Sequence, residues 1–188
     1  MASERDPLAL AREALAGRPA WLVGGAVRDR LLGRTTFDLD VVVEGAVEPA
    51  AKALGRAGAA AAAFPLSDAF GVWRVVARDH AWQVDLLPVN GAGIEEDLAA
   101  RDFTVNAIAE PLAGGDAIDP FGGREDLAAG RLRMVSAQAF SADPLRVLRA
   151  ARLACELQLE PDADTRAAAR SQAAALRGVA PERVFGEL

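Results

Sequence analysis

Four short apolar runs punctuate the first ninety residues, most of them alternating with polar positions. They are "AWLV" (20–23), "FDLDVVV" (37–43), "GVWRVVA" (71–77) and "AWQVDLLPV" (81–89), and each predicts a strand. Helical spacing fills the intervals. The opening "MASERDPLALAREALAG" is amphipathic, "AVRDRLL" sets Val27 and Leu31 one turn apart before Gly33, and "AVEPAAKALGRAGA" ends at its glycines. Arg78-Asp79-His80 predicts a hairpin turn between the last two strands. "IEEDLAARDFTVNAIAEPL" (94–112) reads as helical with a break near Asp102-Phe103. "AIDPFGGREDLAAGRLRMVS" (117–136) is turn-rich and ends in a short strand. From Asp143 the texture changes: "DPLRVLRAARLACELQL" and "DADTRAAARSQAAAL" predict two helices joined by a turn at Pro161, and a third starts at Pro181. The order predicts an α+β chain, a mixed sheet flanked by helices over residues 1–138 and consecutive helices over 139–188. The last segment, "PERVFGEL", looks like an opening helical turn, so a larger helical remainder is expected beyond it.

Composition narrows the classes. Of 188 residues 52% are apolar, enough for a substantial core. No apolar run approaches the length of a membrane span, and the acidic amphipathic start is unlike a signal or transit peptide, so the cytoplasm is the expected compartment. One cysteine, Cys155, and one histidine, His80, exclude a disulfide framework, a Cys/His zinc site and most triad chemistries. The net charge of −6 argues against a protein that coats nucleic acid, and the acidic excess lies entirely within residues 1–140. That excess permits a cation site without requiring one.

Asp38 and Asp40 sharpen the question. Two residues apart on a strand they face the same way, about 6.6 Å apart at Cα, and can converge on one cation or bridge a pair of them. A lone D-x-D more often marks an exposed strand with solvated acids. Gly24-Gly25 changes that balance, because glycines at a strand-to-helix junction let backbone N–H groups approach an anion. Arg28, one turn further, brings a full positive charge. Singly these are a tight turn and a surface arginine; together they suggest a phosphate cradle leading into a metal-binding strand.

"LVGGAVRDRLLG" followed by "FDLDVVV" resembles the signature of the polymerase-beta-like nucleotidyltransferase superfamily. More narrowly the chain resembles the bacterial CCA-adding enzymes and poly(A) polymerases, the class II tRNA nucleotidyltransferases. "EEDLAARDFTVNAIA" resembles the second motif of that family, "AIDPFGG" the third, and "ADPLRVLRAARL" the base-reading segment. The four motifs stand in order over about residues 21–160. The resemblance implies a nucleotidyltransferase head over residues 1–138 and the start of a helical nucleotide-recognition neck over 139–188. It implies magnesium on Asp38 and Asp40, and contact of Gly25 and Arg28 with the phosphates of the nucleotide. Arg101 and Asp102 match the motif associated with its sugar and phosphate. Asp143, Arg146, Arg149 and Arg152 match the nucleotide-binding helix, where the Asp and the first Arg meet the edge of CTP or ATP.

The residues themselves leave alternatives beside those roles. The three arginines, three apart, form a slanting row that can meet phosphates and a base edge. Asp143 before Pro144 is equally a helix cap. Asp85 is either a third carboxylate that helps deprotonate the attacking hydroxyl or a solvent-facing acid. Trp73, Trp82 and Phe103 read as core. Two departures stand out: Ala142 replaces the usual glutamate before Asp143, and Ala100 replaces the first of two usual arginines. The expected activity is transfer of CMP or AMP from CTP or ATP to RNA 3′ ends, foremost CCA addition to tRNA, by two-metal-ion phosphoryl transfer. The alternatives are a nucleotide-binding module without turnover of its own and a transferase acting on a small-molecule hydroxyl. The segment 65–73, "PLSDAFGVW", is expected to be a flexible connection.

Overall fold

The computed structural model describes residues 6–58, 62–67 and 70–188. The chain divides into two compact units, one made of residues 1–97 and 109–118, the other of residues 98–108 and 119–188. Residues 98–108 and 119–138 belong to the same unit as the helices that follow them.

In chain order the first unit contains α1 (Pro7–Ala14), β1 (Ala20–Val23), α2 (Gly25–Leu31), β2 (Asp38–Val43), α3 (Val47–Ala57), β3 (Ala62–Ser67), β4 (Val72–Val76) and β5 (Gln83–Pro88). The helix α4 (Ile94–Ala99) leads out of it, and β6 (Ala109–Pro111) returns to it. The strands order as β3-β4-β5-β2-β1-β6. Among the described residues of this sheet β2 and β5 run parallel and the other pairs antiparallel, so the sheet is mixed as expected. On β2, Leu39, Val41 and Val43 are buried on one face. On α3, Val47, Ala50, Ala51 and Leu54 are buried, the i, i+3, i+4, i+7 stripe of a helix that covers a sheet. The hairpin from β4 to β5 turns where expected, with His80 in the left-handed region at φ 58°.

Two segments differ from the sequence reading. β3 occupies part of the stretch expected to be a connection, and residues 68 and 69 of that stretch lie outside the described residues. Its alanines and Pro65 lack the alternation of a strand, but β3 is an edge strand, where proline costs no ladder bond, and it bulges between Pro65 and Ser67. The second difference follows Asp102. The chain makes a 3-10 turn at Thr104–Asn106 and then β6, where helix was expected. Asp102 Oδ1 accepts the N–H of Phe103 at 2.7 Å and Nδ2 of Asn106 at 3.1 Å, so a side chain and not a helical ladder turns the backbone.

The second unit adds α5 (Gly123–Ala128), β7 (Arg131–Leu132), α6 (Ala139–Ala142), α7 (Arg146–Leu157), β8 (Glu160–Pro161), α8 (Ala163–Gln172) and α9 (Pro181–Phe185). Its core gathers Phe103, Val105, Leu127, Leu132, Phe140, Ala150, Leu153 and Leu159, with Phe103 and Phe140 edge to face at 6.0 Å. The turn expected at Pro161 is also β8, paired in parallel with β7.

Candidate active site

The first unit presents the paired acids on the central strand. Asp38 is exposed and Asp40 half-buried, on the β2 face opposite Leu39, Val41 and Val43. In register, Asp40 stands between Val23 of β1 and Asp85 of β5, and Asp85 stands opposite Arg74 of β4. Opposed carboxylates repel across a ladder, and Arg74 offsets that cost. Its Nε donates to Asp85 Oδ1 and its Nη2 to Asp85 Oδ2, both at 2.7 Å. That bidentate bond raises the Arg74 pKa against the opposing effect of burial, and the charges of Asp85, Asp38 and Asp40 raise it further.

Asp85 is half-buried rather than solvent-facing, and both its oxygens accept from the Arg74 guanidinium. Among the described residues no group of three or more acids, histidines or cysteines is placed to share a metal ion. Asp38 and Asp40 supply two hard oxygen ligands on that face of β2. That set suits magnesium, which typically takes one or two carboxylates and completes its shell with water and substrate phosphate.

Gly24 takes φ 68°, the left-handed region, at the end of β1, which a side chain would strain. Gly25 opens α2 for a different reason. A Cβ there would lie 3.3 Å from Nη2 of Arg28, so the missing side chain makes room for the guanidinium folded over it. Arg28 is mostly buried and donates through Nε to Asp29 Oδ1 at 2.9 Å. The turn, the bare glycine and the arginine thus form one local cluster.

The remaining candidates belong to the second unit. Asp102 is 6% exposed, and its Oδ2 accepts Nη1 of Arg149 at 3.2 Å. Arg101, half-buried, offers its carbonyl to Nη1 of Arg146 at 3.2 Å, and Arg146 also donates to the carbonyls of Ala100 at 2.8 Å and Ala139 at 3.2 Å. Asp143 Oδ1 accepts the Leu145 N–H at 3.2 Å, the capping contact, while Oδ2 accepts Nη2 of Arg183 at 2.8 Å. Burial pushes the Asp143 carboxyl up, but Arg183, the Leu145 N–H and the Arg146 charge outweigh it and hold the carboxyl below its usual range. On α7, Arg149 donates through Nε and Nη2 to Glu187 Oε1, and Arg152 through Nε to Glu187 Oε2. Burial lowers the Arg149 pKa, and Glu187 together with Asp102 more than restores it. The structure thus brings Arg101, Arg146 and Asp143 into one hydrogen-bonded group, the Arg146 N–H donating to the Asp143 carbonyl at 3.1 Å, and Asp102, Arg149 and Arg152 into another joined by Glu187.

Sequence reasoning missed Arg74, Arg183 and Glu187. Arg74 carried a signal, a charge inside the apolar strand "VWRVV"; the other two carried none. It also left the third motif without a role. Asp119 there accepts the N–H groups of Gly123 at 2.7 Å and Arg124 at 2.9 Å, and Gly123 packs against the backbone of Thr104. Asp126, almost fully buried, accepts Oγ1 of Thr104 at 2.6 Å and Nε of Arg133 at 2.9 Å. The third motif braces the second.

Comparison with known proteins agrees with this layout. A family model described as the poly A polymerase head domain matches residues 20–86 and 68–133. A CC-adding tRNA nucleotidyltransferase of Geobacter sulfurreducens is 45% identical over 175 residues, covering 92% of this chain and 40% of that protein. An A-adding tRNA nucleotidyltransferase of Deinococcus radiodurans is also 45% identical over 175 residues, covering 90% of this chain and 39% of that protein. A solved CCA-adding enzyme in complex with CTP superposes with a TM-score of 0.86 at 28% identity, covering 98% of this chain and 47% of the other. The chain spans about 40% of the length of the curated relatives. With its mixed six-stranded sheet, its ordered motifs and a model match over most of its length, the chain belongs to the poly A polymerase head domain family.

Proposed function

We propose that the chain carries the transfer chemistry of a template-independent RNA nucleotidyltransferase, moving CMP or AMP from CTP or ATP to the 3′ end of tRNA. The observation that carries this reading is the pair Asp38 and Asp40 on one face of β2, beside the Gly24-Gly25 turn, in a chain of this family. The terminal 3′ hydroxyl attacks the α-phosphorus, the bond from that phosphorus to the bridging oxygen breaks, and pyrophosphate leaves with the electron pair. Asp38 and Asp40 would hold magnesium, which when bound lowers the pKa of the hydroxyl and stabilises the charge on the leaving group. Gly24, Gly25 and Arg28 bind phosphate, Arg101 and Asp102 serve the sugar and phosphate, Asp143 and Arg146 read the base edge, and Arg149 and Arg152 further along α7 meet the phosphates.

Asp143 stays ionised and accepts only, so it pairs with the exocyclic amino group of cytosine or adenine and opposes a keto oxygen. Residues 1–138 then act as the catalytic head and 139–188 as the start of the neck; the family match ends within the former, and α6 to α9 make up the latter. A cytoplasmic location fits tRNA processing. Equal identity to a CC-adding and an A-adding relative leaves both nucleotides in the proposal.

Extension of tRNAs lacking one, two or three terminal nucleotides, each triphosphate offered separately with magnesium, tests the reading. Asp40→Ala is expected to abolish incorporation while circular dichroism stays unchanged. Full activity in that variant would sink the proposal. The second reading, a nucleotide-binding module without turnover, draws on the limited span of the relatives that the chain covers. CTP binding without any extension would select it.

A further inference from the structure

Residues 181–188 contain no motif that the chemistry above absorbs, yet they bury a charge. Glu187 is 7% exposed, while its apolar neighbours Phe185 and Leu188 are 81% and 88% exposed. Burying a carboxylate is costly unless it is paired, so its place needs a reason. Glu187 lies against two arginines one turn apart on α7. Its Oε1 accepts Nε of Arg149 at 2.8 Å and Nη2 at 2.6 Å, and its Oε2 accepts Nε of Arg152 at 2.9 Å. Like charges at that spacing repel, and each free arginine side chain samples many rotamers.

We propose that Glu187 is a positioning residue that fixes the Arg149 and Arg152 guanidinium groups as donors to the phosphates of a nucleoside triphosphate. This rests on the proposed reading of α7. A guanidinium has five N–H donors in a rigid fork. Arg149 spends three, on Glu187 and Asp102, and Arg152 spends two, on Glu187 and Glu156. Nε of each points at Glu187, joined on Arg149 by Nη2. Two N–H donors of Arg149 and three of Arg152 are left for a ligand. Asp102 at the other side of Arg149 completes the alignment, so the acid of the second motif, the arginine of α7 and the acid after α9 are locked in series.

The test uses the full chain with CTP and, separately, cytidine as probes in magnesium-containing buffer, titrated by NMR, with thermal unfolding followed in parallel. In Glu187→Gln, which keeps shape but loses the charge, CTP affinity is expected to fall about tenfold and cytidine affinity to change by less than about twofold. The ratio of the two affinities is the readout that simple loosening would leave alone. Unchanged CTP affinity, an equal fall for both probes, or tighter CTP binding each overturns the inference. Should Glu187→Gln fail to fold, Glu187→Asp keeps the charge but shortens the reach, and the same comparison applies, with about a threefold fall expected for CTP alone. A wild-type chain that binds neither CTP nor ATP would instead remove the proposed function, so the two failures are distinguishable.

Discussion

At the scale of single residues the site is a set of charges, several of them paired with neighbours far away in sequence. Asp85 and Arg74 meet across a ladder; Arg149 meets Glu187 across 38 residues, and Asp143 meets Arg183 across 40. None of those pairings was legible, because nothing in a linear pattern says which acid a given arginine will find. The candidates themselves were legible, because their spacing is local: Asp38 and Asp40 two apart on a strand, Arg146, Arg149 and Arg152 three apart on a helix. Asp143 yields a pH prediction. Its folded carboxyl lies below its ordinary value of about 3.9. A depressed carboxyl stabilises the fold fully above the unfolded value, and that contribution is lost as pH falls through the folded one. Its contacts should therefore be indifferent to pH near neutrality and disappear only in strong acid. NMR titration of the carboxyl is expected to give a midpoint below the ordinary aspartate value, and Arg183→Gln to move it upward. A wild-type midpoint at or above the ordinary value would contradict the geometry.

At the scale of elements, legibility followed periodicity. β1, β2, β4, β5, α3 and α7 were read because their side chains alternate or repeat by turns. β3 was missed because an alanine run with Pro65 has no period, and its strand character comes from pairing with β4. The segment after Asp102 was read as helix because its apolar spacing allows one; a carboxylate that accepts from Phe103 and Asn106 decides otherwise. The third motif shows a backbone requirement that only coordinates reveal. A Cβ on Gly123 would overlap the carbonyl oxygen of Thr104 and lie 2.7 Å from its carbonyl carbon and 2.9 Å from Cγ1 of Ile108. Backbone cannot yield as a flexible side chain does. Gly123→Ala is expected to destabilise the chain by about 1–3 kcal/mol, the usual cost of forcing volume into a packed site. Denaturant unfolding measures it, and a midpoint equal to that of the parent chain would show that the turn has room for a methyl group.

At the scale of the whole molecule, the boundary of function and the boundary of folding part company. Residues 1–138 carry the paired acids and three of the four motifs, and they read as a head in sequence terms. Yet Phe103 and Val105, within those residues, are fully buried in a cluster with Phe140, Ala150, Leu153 and Leu159, which lie beyond them. Burying side chains of this kind contributes about 1.5–3 kcal/mol each. A chain cut after Gln138 would uncover Phe103 and Val105 and delete their four partners, a loss comparable to the total stability of about 5–15 kcal/mol typical of a domain. The second motif sits in that cluster, so Asp102 would lose Arg149 as well. Residues 1–138 alone are expected to bind a hydrophobic dye, to melt over a broader range than the full chain, and to bind CTP more weakly. Sharp, cooperative melting of the 1–138 piece at the midpoint of the full chain would mean that the helices after 138 add nothing to the fold of the second motif. Restoring residues 139–188 as part of the same chain is expected to return both the cooperative transition and the nucleotide affinity, because those helices supply the apolar partners and the arginine row together.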